Sequence, residues 1–269
     1  MNERFDQIVR IGRSRGETPR AALRHYLLEG ILRRIALTCE GFVLRGGLLT
    51  RAWIAPLTRP TRDLDLVGDF PFSVSDTARR FRPVLTQPFD DGVVIAPESF
   101  ASTGIWLDSE FPGVRIALAI GYRDVGQELT LDIGFGDPLI PQANTFRYDP
   151  MVGDPFPVRA VRAETQVGWK LHGLAEMGES WRPKDLADLW FITRRVQLNP
   201  IDLVAAIEAA FVSRRFEPAQ ATTILEHPHW TTKTARVRWA NVKGLPELAQ
   251  TLREVRRVLA PALTQISNN

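Results

Sequence analysis

In the first half of the chain, the alternation of apolar and polar residues predicts short β-strands. Between Glu128 and Pro138, apolar side chains occupy every second position, which is typical of a strand with one buried face. Asp132 belongs to the opposite face of that strand. Strands are predicted from Phe42 and at residues 63–67, 92–96, 105–107, 114–121 and 129–135, with an amphipathic helix at 19–38 and a short helix at 75–81.

In the second half, apolar residues recur every three or four positions, which predicts helices. These follow a segment rich in Pro and Gly at residues 137–157. The helices are predicted at residues 160–177, 184–196, 201–212, 217–225 and 245–259. The expected fold class is therefore α+β. A mixed-sheet lobe with an N-terminal helix (residues 1–150) precedes a helical lobe (151–269), and the active site is expected in the cleft between them.

The segment Phe42–Val67 combines two features of a phosphate-handling site. A short apolar strand leads into Gly46 and Gly47 at the start of a helix, where backbone N–H groups can bind a phosphate. Asp63 and Asp65 follow on one face of the next strand, because side chains alternate. Converging carboxylates repel each other unless a cation lies between them, and their oxygens suit Mg²⁺ or Mn²⁺. Alternatively, this Asp-x-Asp tripeptide is an exposed strand without chemistry.

Asp132 is a third acidic residue on a half-buried strand. With Asp63 and Asp65 it would complete a two-metal set, in which one ion activates an attacking hydroxyl and the other stabilises the leaving oxygen. The alternative is a solvent-facing acid on an edge strand.

Lys170 lies on a helical stripe whose other members, Val167, Leu174 and Met177, are apolar. A lysine rarely occupies such a position without a partner, which indicates a functional role. Alternatively, its stem packs while the ammonium reaches water. Asp185 is predicted in the first turn of the next helix, where the helix dipole favours an acid by about 0.3–1 kcal/mol without any chemistry.

Composition places the chain among ordinary globular proteins. It has 269 residues, of which 44% are hydrophobic and 24% charged, enough for two lobes. The single cysteine, Cys39, excludes a disulfide framework and is typical of the cytoplasm. No apolar run is long enough to span a bilayer and the N-terminus lacks the apolar core of a signal peptide, so no membrane association is expected.

Basic residues suggest a nucleic-acid partner. The net charge is +3 and the pI is about 9.3. Lys233, Arg236 and Arg238 concentrate positive charge near the C-terminus and are candidate RNA-binding residues. The alternative is an ordinary solvated helix face.

The Gly-Gly turn, the Asp-x-Asp strand and the third Asp strand, in this order, resemble the nucleotidyltransferase fold of the DNA polymerase β superfamily. Residues 20–195 more closely resemble the AbiEii/AbiGii toxin family, which includes the mycobacterial MenT-type toxins. That similarity is carried by RPTRDLDL, LTLDIGFGDP and WKLHGLAEMGESWRPKDLADLWFI. Where the family usually has Lys before the glycines, this chain has Arg45, which keeps the charge.

The resemblance implies a Mg²⁺-dependent nucleotidyltransferase toxin that moves a nucleoside monophosphate from an NTP to a hydroxyl acceptor, the 3′ end of tRNA. It also implies an antitoxin partner encoded nearby. By the same resemblance, Lys170 and Asp185 are active-site residues that handle the nucleotide.

Several alternatives remain open from the sequence. The acceptor could be a small molecule or a protein, and the fold could instead be a non-catalytic RNA- or protein-binding module. A glycosyltransferase would share the acidic pair, but it would explain neither the Gly-Gly turn nor Lys170.

Thr61 is a candidate regulatory phosphorylation site. It lies two residues before Asp63 and would share the metal-facing side if the strand extended that far. A phosphate there would compete for the cation and repel the substrate. The alternative is a hydroxyl that caps the turn entering the strand.

Overall fold

The computed structural model of the chain describes residues 3–57, 59, 61–123, 125–242 and 244–268. The chain folds into two compact units. The sheet unit consists of Met1–Asp137 and Asn144–Ala160, and the helical unit of Pro138–Ala143 and Val161–Asn269. The sheet unit extends past residue 150 because the strand at Phe156–Ala160 pairs with the strand at Phe42–Arg45.

The described residues of the sheet unit form one mixed sheet. Its strands are β1 (Phe42–Arg45), β2 (Leu64–Gly68), β3 (Val93–Ile95), β4 (Ala101–Ile105), β5 (Gly113–Tyr122), β6 (Val125–Gly134), β7 (Asn144–Tyr148) and β8 (Phe156–Ala160). Their order is β3-β5-β6-β2-β1-β8-β7, and β4 also pairs with β5. The β2–β6 and β1–β8 pairs are parallel and the others are antiparallel.

The pattern of alternation in β6 is reproduced in the structure. The apolar face of this strand is buried, and it comprises Leu129, Leu131 and Ile133, with the buried Phe135 just past the end of the strand. Leu64 and Leu66 of β2 are also fully buried. Because neighbouring strands bury the same face, their acidic residues are left together on the other face.

The helices of the sheet unit are α1 (Glu3–Ser14), α2 (Pro19–Thr38), α3 (Gly46–Ile54) and α4 (Val74–Thr86). The predicted bounds of α2 are confirmed. Its start is fixed by Thr18, whose side chain accepts a hydrogen bond from the Ala21 N–H, and by Pro19 at the first position. However, α2 is not amphipathic as predicted, since its buried residues, among them Leu27, Leu28, Ile31 and Leu32, surround the helix.

Some elements of the sheet unit differ from the prediction. The segment predicted as a loop at 137–157 contains β7 and the start of β8, an antiparallel pair too short to give a clear periodic signal. Similarly, β4 ends at Ile105 rather than beginning there. Trp106 adopts a positive φ of 55°, which places it in a turn rather than a strand.

The helical unit contains α5 (Ala163–Met177), α6 (Pro183–Arg195), α7 (Pro200–Ser213), α8 (Gln220–Thr223), α9 (Lys233–Ala240) and α10 (Leu248–Asn268). Gly168 lets α5 pack closely on α7, because a Cβ there would come within 2.6 Å of the Ala206 carbonyl oxygen. Trp181 packs edge-on against Trp230 at 4.7 Å between ring centroids, and both rings are buried. α9 was not predicted.

The last helix, α10, continues beyond the predicted end at residue 259 and through Pro261. A proline inside a helix costs about 3 kcal/mol, because it removes one backbone hydrogen bond and crowds the preceding turn. Burial of Ala262, Leu263 and Ile266 beyond it opposes that cost. Among the described helices, none is both long enough and apolar enough to cross a bilayer.

Candidate active site

Four charged residues line up across four neighbouring strands of the sheet unit. Arg45 of β1 pairs in register with Asp65 of β2, Asp65 with Asp132 of β6, and Asp132 with Arg115 of β5. Residues in register across adjacent strands lie on the same face, about 4.8 Å apart from strand to strand. The two carboxylates are therefore neighbours, and each has a guanidinium-bearing residue on its outer side.

Asp63 is not part of this row. It lies just before β2, which begins at Leu64 rather than at Asp63. Its charge nevertheless acts at the same place. Hydrogen bonds to Asp132, the charge of Asp132 and, more weakly, the charge of Asp63 raise the pKa of Arg115. All three predicted metal ligands thus belong to the sheet unit, with Arg115 electrostatically coupled to two of them.

Asp132 is held by Arg115. The guanidinium donates from Nε and Nη2 to the two carboxylate oxygens, at 2.7 Å each. The side chain of Asp132 is 14% exposed and that of Arg115 47%. Such two-point pairs are among the stronger hydrogen-bonded ion pairs in proteins.

The three acidic residues fit a divalent cation in their chemistry, since carboxylate oxygens are the ligands that Mg²⁺ and Mn²⁺ prefer. In the arrangement described here, however, they do not form a metal-binding cluster. In the part of the chain that the structure describes, no three Asp, Glu, His or Cys side chains are gathered closely enough to hold a metal ion. The metal-ligand set of Asp63, Asp65 and Asp132 stays a prediction.

The Gly-Gly turn forms the start of α3 against Asp65. Gly46 has a φ of +72°, and a Cβ at this position would overlap the Asp65 carboxylate. The N–H of Gly47 donates to Asp65 Oδ2 at 3.4 Å. A Cβ on Gly47 would overlap the guanidinium of Arg59. Gly46 is therefore required for the close approach of the backbone to Asp65, whereas the end of the flexible Arg59 side chain can move away from a Cβ at Gly47.

Thr61 also lies beside the start of α3, although contacts other than strand alternation place it there. The strand does not extend to Thr61, so strand alternation cannot orient it. Its hydroxyl instead accepts a hydrogen bond from Arg59 Nη1 at 3.3 Å and lies 3.1 Å from the Cβ position of Gly47. The side chain is thus beside the start of α3.

Two arginines belong to this site that were not predicted as site residues. Arg45 was noted only as a departure from the family pattern, yet its Nη1 donates to Asp137 at 2.6 Å and it flanks Asp65. Arg115 was not predicted at all. It is the one charged residue of β5, between the buried Val114 and Ile116, and that isolation is the sequence signal that could have identified it.

In the helical unit, Lys170 of α5 contacts two carboxylates of α6. Its Nζ lies 2.6 Å from Asp185 Oδ1 and 2.9 Å from Asp188 Oδ2. The side chains of Asp185 and Asp188 are 1% and 0% exposed. Lys170 therefore has the partner that its place on an apolar stripe requires, its ammonium does not simply extend to water, and Asp185 is buried rather than an exposed acid of a first turn. Asp188, about one turn beyond Asp185 on α6, is a full member of this cluster.

The charge of Asp185 is maintained by its cations. Burial raises the pKa of this carboxyl, but the charges of Lys170 and Arg182 outweigh burial and hold the pKa below its ordinary value. Arg182 Nε donates to Asp185 Oδ2 at 2.7 Å. Asp185 is therefore an anionic partner for the Lys170 ammonium.

The candidate RNA-binding residues of α9 do not share a face. Lys233 and Arg236 are exposed. Arg238 follows Arg236 by two positions, which turns it about 200° around the helix. Its Nη1 donates to the Trp181 carbonyl at 3.1 Å, and the residue is half-buried.

Comparisons with known proteins agree with this fold. The family model for the nucleotidyl transferase AbiEii toxin of type IV toxin–antitoxin systems matches residues 30–260. A crystal structure of a candidate nucleotidyltransferase from H. pylori has a TM-score of 0.57 at 17% identity, covering 93% of this chain and 97% of that one. The crystal structure of JHP933 from Helicobacter pylori has a TM-score of 0.55 at 16% identity, covering 91% and 92%. A comparison with curated proteins gives no match.

Proposed function

The chain belongs to the AbiEii toxin family of nucleotidyltransferases, and from that premise we propose that it transfers a nucleoside monophosphate from an NTP to the 3′ end of tRNA. The transfer would depend on Mg²⁺ or Mn²⁺, would take place in the cytoplasm and would block translation. A cognate antitoxin would neutralise it.

The observation that carries this proposal is the pair of neighbouring carboxylates beside the start of α3. Asp65 and Asp132 are in register on adjacent strands, and the N–H of Gly47 points to Asp65. Carboxylates combined with a helix N-terminus suit a triphosphate with its cation. Asp63 and Asp65 would hold that cation, which supplies positive charge to the phosphates.

The chain's own groups would supply the remaining functions. Asp132, as a further ligand of the cation, would help to activate the acceptor hydroxyl. The backbone at Gly46 and Gly47 would frame the triphosphate. Lys170 would neutralise phosphate charge, and Asp185 would position Lys170, which is consistent with the 2.6 Å contact between them.

The RNA acceptor is supported by exposed positive charge. Lys233 and Arg236 are exposed on α9, where they can contact phosphates. Arg238 would act there only indirectly, since it is half-buried with its guanidinium donating to the Trp181 carbonyl, whereas Arg236, which donates to the Thr231 carbonyl, is exposed.

A labelling experiment tests the proposal. The protein is incubated with total tRNA and each labelled NTP, with Mg²⁺ or with EDTA. We expect labelled RNA with Mg²⁺ only, and none when periodate has first destroyed the 3′ diol of the tRNA. Label on a protein or a small molecule would instead identify another acceptor, and no labelled product with any NTP would favour a binding module.

A further inference from the structure

Arg115 is hydrogen-bonded to Asp132, the carboxylate that the proposed function assigns to activation of the acceptor hydroxyl. Both oxygens of Asp132 accept hydrogen bonds from its guanidinium, at 2.7 Å each. A cation that used Asp132 as a ligand would need one of the same oxygens. Arg115 and a divalent cation would therefore share the same oxygens, and their two positive charges would repel each other.

The exposure of the two side chains indicates which one can move. Arg115 is 47% exposed and can turn into solvent without burying a charge. Asp132 is 14% exposed and is fixed in the sheet between Arg115 and Asp65. Release of Arg115 would leave Asp132 beside Asp65 with less compensating charge, a situation that favours binding of a cation.

We propose that Arg115 is a displaceable counter-cation, which competes with the divalent cation for Asp132. This inference rests on the proposed function, because it assumes that a divalent cation acts at the acidic row. Arg115 is thus a positioning residue for Asp132.

The test is direct binding of Mn²⁺ to the full-length protein without nucleotide, measured from the EPR signal of free Mn²⁺. Removing the guanidinium in Arg115→Gln should tighten binding about tenfold, equivalent to about 1.4 kcal/mol. Arg159→Gln is the matched control. It removes an arginine that pairs with Asp69 at 2.6 Å in the same unit, with both side chains about as exposed as Arg115. Its Mn²⁺ affinity should equal that of the wild type.

A second variant separates competition at Asp132 from a general effect of charge. In the Asp132→Asn background, Arg115→Gln should no longer tighten Mn²⁺ binding relative to Asp132→Asn alone. If the gain persists in the double variant, or if Arg115→Gln binds Mn²⁺ no more tightly than the wild type, the proposal is wrong.

Thermal unfolding provides a readout if Arg115→Gln is less stable. In EDTA its Tm should fall, because Asp132 loses its partner, and Mn²⁺ should raise its Tm by more than that of the wild type. An equal Mn²⁺ response in both proteins would contradict the proposal. Neither measurement involves transfer, so labelled RNA with unchanged Mn²⁺ affinity would overturn this inference while leaving the proposed function intact.

Discussion

Asp65 is the residue at which the sheet and the start of α3 meet. It pairs in register with Asp132 and accepts the N–H of Gly47. Asp65→Asn keeps the volume and one oxygen acceptor but removes the charge, so we expect an intact fold and a loss of transfer by orders of magnitude. The labelling assay and the growth of expressing cells measure this.

Asp69→Asn is the matched control for that change. Asp69 is a partly exposed acid just beyond β2 that pairs with Arg159. It should leave transfer unchanged. Transfer by Asp65→Asn at the wild-type rate would remove Asp65 from the site.

Substitutions at Thr61 test whether phosphorylation regulates the site at the start of α3. Its hydroxyl lies beside Gly47 and accepts from Arg59, so a phosphate here would bring about −1.5 to −2 charges to the start of α3. We expect Thr61→Glu to lose transfer and Thr61→Ala to retain it.

Intact mass spectrometry of the chain, co-expressed with its genomic neighbour, checks whether Thr61 is modified. A gain of one phosphate mapped to Thr61 would support the switch. An unmodified protein together with an active Thr61→Glu variant would rule it out.

At the scale of elements, the start of α3 depends on Gly46. Alanine at a φ of +72° costs about 1–2 kcal/mol, and its Cβ would push against the Asp65 carboxylate. We expect Gly46→Ala to lower the Tm and also to reduce transfer by displacing Asp65. Gly126→Ala in β6 is the control, because a Cβ there meets no atom within 4 Å. Equal effects of the two changes would show that this turn needs no glycine.

The packing of α5 against α6 depends on Lys170. Lys170→Met leaves Asp185 and Asp188 buried without that cation, so we expect a loss of about 3–5 kcal/mol in the free energy of unfolding, in addition to weakened NTP binding. Lys184→Met, which changes an exposed lysine, should cost little. Urea denaturation measures both. A fully stable Lys170→Met would show that the two carboxylates do not require it.

The pH dependence of unfolding follows from the same cluster. The pKa of Asp185 is lowered in the folded state from its ordinary value of 3.8. The folded state therefore gains stability from this carboxylate above about pH 4, and loses it as the pH falls through the lower folded pKa. When the free energy of unfolding is measured by urea denaturation over a pH series, Asp185→Asn should show a smaller loss of stability at acidic pH than the wild type.

For the whole molecule, the charge of the helical unit should govern RNA binding. Replacing Lys233 and Arg236 together by Gln should reduce the slope of log affinity against log salt by about 0.7–0.9 for each RNA phosphate that the protein no longer neutralises. Arg238→Gln should change stability rather than slope, because Arg238 is half-buried and its guanidinium donates to the Trp181 carbonyl. Filter binding of tRNA over a salt series measures the slopes. An unaltered slope in the double variant would place the RNA elsewhere.

The sequence by itself determined what depends on local periodicity. Alternation along β6 placed Asp132 opposite Leu131 and Ile133, and cap signals at Thr18 and Pro19 fixed the start of α2. Such features follow from side-chain directions within one element, so residues close in sequence are enough to predict them. Short or weakly periodic elements, such as β7, β8 and α9, were missed for the same reason.

Only the tertiary structure decided which charges meet. Arg115 and Asp132 are 17 residues apart, and Lys170 and Asp185 are 15 apart. Their contacts depend on the register of β5 against β6 and on the packing of α5 against α6. Spacing along the chain does not encode these pairings, because a shift of one residue in a strand would turn every side chain to the other face. The sequence could therefore nominate the acidic residues, but it could not show that an arginine holds one of them.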